Sequence, residues 1–200
     1  YNPNDSSLGS QCSLSSVKAL NAFDFWDIPN GHYPGLQAGS EVVLASVDTG
    51  VDYTHPDLEM NSWINQDEVP LWLMEIGFDL NGDSHLSAYE IVSFLESEAM
   101  DYNEDGDYTL RDIVHENSPF MDGVDDDSNS YVDDILGWDC SGYFGNDPPD
   151  PDPFPKEGAA NTGTWAHGTH VAGILAATTD NNLGMASIAY NAKFMSVKAS

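Results

Sequence analysis

Two histidines in the stretch Trp165 to Ala177, His167 and His170, sit at i, i+3 beside Gly168 and an apolar run that reads as a helix. That spacing fits three kinds of chemistry. The pair could share a metal ion, one ring at the helix start could act as a general base, or both could be packed side chains with no chemistry. The other acid-base candidate is Asp48. It ends the apolar, β-branched run Val42 to Val47 and is followed by Thr49-Gly50. A carboxylate at the C-terminal end of a strand is where open α/β sheets place their sites. A third source of chemistry is the acid-rich middle of the chain.

Residues 79–90 place Asp79, Asn81, Asp83, Ser87 and Glu90 at positions 1, 3, 5, 9 and 12 of a twelve-residue loop, with His85 at position 7. This is the EF-hand spacing, in which a tight loop wraps oxygens around a hard cation, position 7 gives a backbone carbonyl and position 12 can give two oxygens. Ser84 stands where the turn glycine is expected. Residues 101–112 repeat the pattern with Asp101, Asn103, Asp105, Asp107, Thr109 and Asp112, and here Gly106 is in place. The loops start only 22 residues apart (101 − 79), so one helix, near Ala88 to Met100, must leave the first and enter the second. A third run offers Asp125, Asp127, Asn129 and Asp133 at positions 1, 3, 5 and 9, but Leu136 falls at position 12 and leaves a truncated loop. The implied cofactor is Ca²⁺. The competing reading is a solvated acidic surface, which two correctly spaced loops in tandem make the poorer one.

These groups need elements to hold them. A buried parallel strand is expected near 42–48 and another near 193–199, with a helix at 167–177 packed against them. A helix is also expected over 13–25, loops at 29–40 and 145–163, and an extended polar arm at 1–10. Segment 71–121 reads as a small helical excursion.

Composition limits the function. The 200 residues hold five Lys+Arg against 34 Asp+Glu, a formal net charge of -29. No basic patch can be built from five cations, which excludes an ordinary nucleic-acid binder. No apolar run is long enough for a membrane span. Cys12 and Cys140 could pair or stay as two thiols. The chain stops at Ser200 inside or just after an expected strand, which suggests a fragment.

Two motifs stand in order along the chain: Val47-Asp48-Thr49-Gly50-Val51-Asp52 with His55-Pro56-Asp57-Leu58, then His167-Gly168-Thr169-His170-Val171-Ala172-Gly173. Together they resemble the subtilisin-like serine proteases. The stretches Trp63-Ile64-Asn65, 125–139 and 188–198 are similar to segments of secreted members. The resemblance implies an α/β, three-layer fold with a central parallel sheet, incomplete here. Residues 1–200 would be the N-terminal portion of the catalytic domain, with 71–121 as an EF-hand-like insertion.

The resemblance, and not the spacing, also implies roles for single residues, on the scheme of the family, subtilisin included. Asp48 would orient His167 and stabilise its imidazolium, and His167 would serve as base and then acid. Gly168 would allow close approach and His170 would be structural. Asp57 matches a calcium ligand, helped by the loop 178–184 through Asp180 or Asn182. The implied protein is a secreted, monomeric endopeptidase acting on polypeptides. One departure matters: no serine here has the Gly-Thr-Ser-x-Ala context of the nucleophile, so these residues alone are expected to be inactive. The alternatives are a catalytically inactive calcium-binding structural or adhesion module on a protease-like frame, and a metallohydrolase using His167 and His170. The second is the poorer, for want of an HExxH motif.

Overall fold

The computed structural model describes residues 2–23, 42–141, 148–156, 165–190 and 192–199. The expected loop at 29–40 lies outside them, and of that at 145–163 only 148–156 is described. The described elements are helices α1 (Cys12–Ser16), α2 (Ala19–Phe23), α3 (Leu71–Glu75), α4 (Ala88–Glu98), α5 (Leu110–Ile113) and α6 (His167–Ala176), and strands β1 (Val43–Asp48), β2 (Gly137–Asp139) and β3 (Lys193–Lys198).

The three strands form a parallel sheet in the order β1-β3-β2. This is the expected α/β class. Val43 pairs with Lys193 and Asp48 with Lys198, so the two strands expected at 42–48 and 193–199 lie side by side and end level. β2 joins the other side of β3 through Gly137 opposite Ser196 and Asp139 opposite Lys198. Gly137 has φ +124°, and a Cβ on it would overlap the Ser196 carbonyl oxygen. Only glycine lets the two backbones meet there.

The sheet departs from the expectation of a strand buried on both faces. Ser46 is buried in β1, whereas Val43 and Val47 are exposed, Val47 by 64%. On β3, Phe194, Ser196 and Lys198 are buried and their alternates are half-buried. Side chains alternate across a strand, so one face is sealed and the other open among the described residues.

The helix expected over 13–25 is instead two short turns broken at Val17-Lys18, with Lys18 at φ +64°. Leu14 and Phe23 would lie about 180° apart on a continuous helix. The break lets both join one cluster with Ala19, Ala186 and Tyr190. The N-terminal arm is likewise tied down. Asp5 is buried, its carboxylate accepts the Asp180 N–H, and Ser7 N–H donates to the Gly184 carbonyl.

Segment 71–121 does not form a core of its own. Leu73, Phe78, Ile91, Leu95 and Ile113 belong to the same apolar cluster as Val51, Leu58, Ala172 and Phe194. Helix α4 starts in a capping box, Ser87 with Glu90, and ends at Ala99 with φ 53°. It runs from the first acidic loop toward the second, as expected. Cys12 and Cys140 are free and exposed, so the pairing considered from sequence is not made.

Candidate active site and acidic loops

Asp48 is the last residue of β1 and His167 the first of α6. His167 Nδ1 lies 2.7 Å from Asp48 Oδ1 and 2.9 Å from Oδ2. An ionised carboxylate only accepts, so Nδ1 carries the hydrogen and Nε2 is left as the ring's proton acceptor. Partial burial pushes the Asp48 carboxyl up, but the His167 hydrogen bond, the Thr49 N–H and the His167 charge outweigh it and hold it below its ordinary value. The carboxylate side chain is 17% exposed and the imidazole 62%. The arrangement is an oriented base with an open approach.

The neighbours of the pair fix its geometry. Thr49 Oγ1 donates to the Trp165 carbonyl at 2.9 Å and accepts the Gly168 N–H at 3.0 Å. Thr169 Oγ1 accepts the Asp52 N–H at 2.9 Å. A Cβ on Gly168 would overlap the Gly50 carbonyl oxygen and lie 3.1 Å from Asp48 Cβ. The glycine permits the helix start to sit against the strand end, the close approach expected for it. The small residues Ala172, Gly173 and Ala176 continue that buried stripe. His170 is exposed on α6 and lines an apolar hollow of about 320 Å³ with His55, Leu58, Ile174 and Met185. Neither His167 nor His170 belongs to a metal-compatible cluster among the described residues.

Asp57 is buried, and its oxygens accept Asn181 Nδ2 at 2.8 Å and Met185 N–H at 2.9 Å. The loop side chain that bonds Asp57 is that of Asn181, and Asp180 and Asn182 make no hydrogen bond to it among the described residues. Both of those residues have positive φ, and they turn to the N-terminal arm. Asp180 accepts Asn4 N–H and Tyr190 O–H, and Asn182 N–H donates to Asn4.

The acidic loops share one backbone design. Their positions 4 and 6 all have positive φ: Gly82 and Ser84, Glu104 and Gly106, Ser128 and Ser130. The first-position carboxylates accept loop N–H groups: Asp79 from Gly82, Asp83 and Ser84; Asp101 from Asp105 and Gly106; Asp125 from Asn129 and Ser130. Position 3 caps position 5 in each, as Asn81 does for Asp83, Asn103 for Asp105 and Asp127 for Asn129. Asp83 and Asp105 accept the N–H of His85 and Asp107 in turn.

Position 12 closes the first two loops. Glu90 Oε1 accepts the position-3 N–H of Asn81 and Oε2 the position-9 N–H of Ser87. Asp112 does the same for Asn103 and Thr109. In the third loop Glu68 takes this role, Oε1 accepting Asp127 N–H at 3.0 Å and Oε2 accepting Asp133 N–H at 3.1 Å. The loop expected to be truncated at Leu136 is completed by a carboxylate from far upstream. The Asp133 side chain turns away and accepts Asp122 and Gly123 N–H groups. Asp134 instead faces inward, held by Asn65 Nδ2 at 2.8 Å and by Asn129.

Carboxylate oxygens of Glu68, Asp127 and Asp134 converge within 4.8 Å of one another. Burial and the neighbouring carboxylates push Glu68 and Asp134 up despite their hydrogen bonds. An all-oxygen donor set of this kind suits a hard divalent cation. Glu68, Asp134 and Asn65 are not among the ligands expected from sequence. Glu68 is a single acid with no motif around it, and only the similarity at Trp63-Ile64-Asn65 pointed to the region.

The family model described as the subtilase family matches residues 39–200. An extracellular basic protease of Dichelobacter nodosus is 35% identical over 120 residues, 60% of this chain and 15% of that protein. Subtilisin-like protease 1 of Plasmodium falciparum (isolate 3D7) is 28% identical over 156 residues, 78% of this chain and 14% of that protein. Its Plasmodium berghei counterpart is 26% identical over 156 residues, 78% of this chain and 16% of that protein. The matches thus span about one seventh of the length of these relatives.

Proposed function

The chain belongs to the subtilase family, and we propose that it contributes Asp48 and His167 to the Asp-His-Ser triad of a serine endopeptidase acting on polypeptides. The observation that carries this reading is the pair of contacts from His167 Nδ1 to the Asp48 carboxylate, at 2.7 and 2.9 Å. In the proposed reaction His167 Nε2 takes the proton of a serine supplied from outside these residues. It later passes that proton to the leaving amine, while Asp48 stabilises the imidazolium in between.

Calcium is the proposed cofactor. Asp79, Asn81, Asp83, Ser87 and Glu90 would hold one ion, with the main chain at His85. Asp101, Asn103, Asp105, Thr109 and Asp112 would hold a second, with the main chain at Asp107. Asp125, Asp127, Asn129, Asp134 and Glu68 would hold a third, and Asp57 with Asn181 offers a separate site. The ion would supply positive charge that lets these carboxylates converge, and so order rather than chemistry. In this reading segment 71–121 is an insertion in the catalytic frame. Secretion suits the calcium requirement and the name of the D. nodosus relative. No helix among the described residues is long and apolar enough to cross a membrane.

The test is made on the full-length protein. It should be labelled by a fluorophosphonate and cleave a peptide substrate. Asp48→Asn should lower kcat on the order of 10⁴-fold, a scale taken from well-studied triads and not from this geometry. A protein that binds calcium but is neither labelled nor active would replace the peptidase reading with that of an inactive calcium-binding module.

A further inference from the structure

Among the described residues no hydrogen bond or ion pair joins segment 71–121 to the Asp48–His167 pair, yet a continuous set of contacts links them. The segment's outward reach is Arg111, in the short helix α5. That helix is fixed in two ways. Thr109 and Asp112 form a capping box at its start, and the Leu110 N–H donates to the buried Glu59 carboxylate at 3.0 Å. Arg111 is thereby aimed at the proline-rich segment 148–156. Its guanidinium lies 4.1 Å from the ring centre of Phe154 and its Nη2 3.7 Å from Asp152 Oδ2. The ion pair is 40% exposed on the Arg111 side and so contributes little alone. The cation–π contact with the Phe154 ring is what gives it direction.

Segment 148–156 in turn lies on the residues that follow Asp48. Asp152 Oδ1 accepts the Tyr53 hydroxyl at 2.6 Å, and Tyr53 is fully buried, edge-on to Phe154 at 5.3 Å. The Pro153 carbonyl accepts the Val51 N–H at 3.2 Å. A Cβ on Gly50 would fall 2.6 Å from that same carbonyl oxygen. Gly50 is thus held between the strap on one side and Gly168, at the start of α6, on the other. A shift of this strap, segment 148–156, would therefore bear on Gly50 and on the joint between β1 and His167.

We infer that Arg111 is a positioning residue: through Phe154, Asp152 and the strap 148–156 it makes segment 71–121 a support for the Asp48–His167 geometry. This deepens the peptidase reading and rests on it for the kinetic part of its test. Small displacements matter because general-base geometry tolerates little error. In the full-length protein, Arg111→Ala is expected to lower kcat about tenfold with KM little changed, and Arg111→Lys to recover part of the loss.

Hydrogen exchange read by mass spectrometry gives an answer independent of turnover. Uptake in Arg111→Ala should rise in peptides covering 49–54 and 165–170 and stay unchanged in 79–90. Asp152→Asn should raise the same peptides, and the double variant should be no worse than either single one. Unchanged uptake at 49–54 and 165–170 overturns the inference. So does a rise spread over 79–90 as well, which would mark general loosening. If the wild type shows no peptidase activity but Arg111→Ala still loosens those two stretches alone, the coupling stands and the peptidase reading falls.

Discussion

The Asp48–His167 pair and the acidic loops are built by opposite strategies. The pair joins residues 119 positions apart, and each is useful only because a strand end and a helix start meet. In the loops at 79–90 and 101–112, the bonds from the position-12 carboxylate back to the loop start span ten residues or fewer. One site is tertiary throughout, and the other is written into a twelve-residue pattern. The third loop lies between them. Its first five positions follow the local pattern, while its closing carboxylate, Glu68, reaches Asp127 N–H across 59 residues. An acidic loop of this pattern can therefore be recognised from a linear motif only as far as its closing carboxylate is also linear.

Disrupting the tertiary side should cost most. Lys198 ends β3 opposite Asp48 and is buried, with its ammonium 2.8 Å from Asp139 and 2.7 Å from Ser141. Lys156 reaches the same Asp139 oxygen at 3.1 Å. Lys198→Met leaves a fully buried carboxylate with one cation fewer, and should destabilise by about 3–5 kcal/mol in urea unfolding. The loops at 79–90 and 101–112 close locally, so their calcium binding should stay unchanged in the folded variant. A parallel loss of calcium affinity would erase the distinction between the two strategies.

Acid titration separates the two sides as well. Burial pushes Asp139 up, but the Lys198, Ser141 and Lys156 contacts dominate and bring it down to about 2, from 3.8. A lowered carboxyl contributes stability above its unfolded value and loses it as pH falls through the folded one. About 2 kcal/mol should therefore disappear between roughly pH 4 and pH 2. This component should be absent from the acid-unfolding profile of Asp139→Asn.

Glu68→Gln tests the intermediate case. One of the three loop affinities for calcium should fall about tenfold, or about 1.4 kcal/mol, in a calorimetric titration. The other two should not move. A uniform loss over all three would mean that the loops are not the independent units their bonding suggests. The smallest effect is expected on the local side. In calcium-free buffer Ser87→Ala removes the cap that accepts the Glu90 N–H at 3.2 Å and should lower stability by about 1 kcal/mol, with lost hydrogen-exchange protection confined to the start of α4.

Much of this molecule could be read in the chain. The strand ending at Asp48, the helix opening at His167 and the helix between the first two loops follow from periodicity and capping, and the need for glycine at 168 from the family resemblance. The local pattern also marked the loop positions of the first two acidic runs, because their geometry closes through neighbouring residues. The features that stayed hidden share one cause: they depend on which distant groups face each other. The break at Lys18 lets Leu14 and Phe23 reach one cluster. Asn181 stands beside Asp57 while residues 180 and 182, both at positive φ, bond the N-terminal arm. The Asp48–His167 pair shows both sides at once. Residue type and motif order already made it a candidate oriented base, since a carboxylate ending a strand and a histidine opening a helix carry the needed groups. That the two meet is a tertiary fact. The 2.7 Å contact exists where β1, α6 and the strap across Gly50 converge, and no linear spacing encodes that convergence.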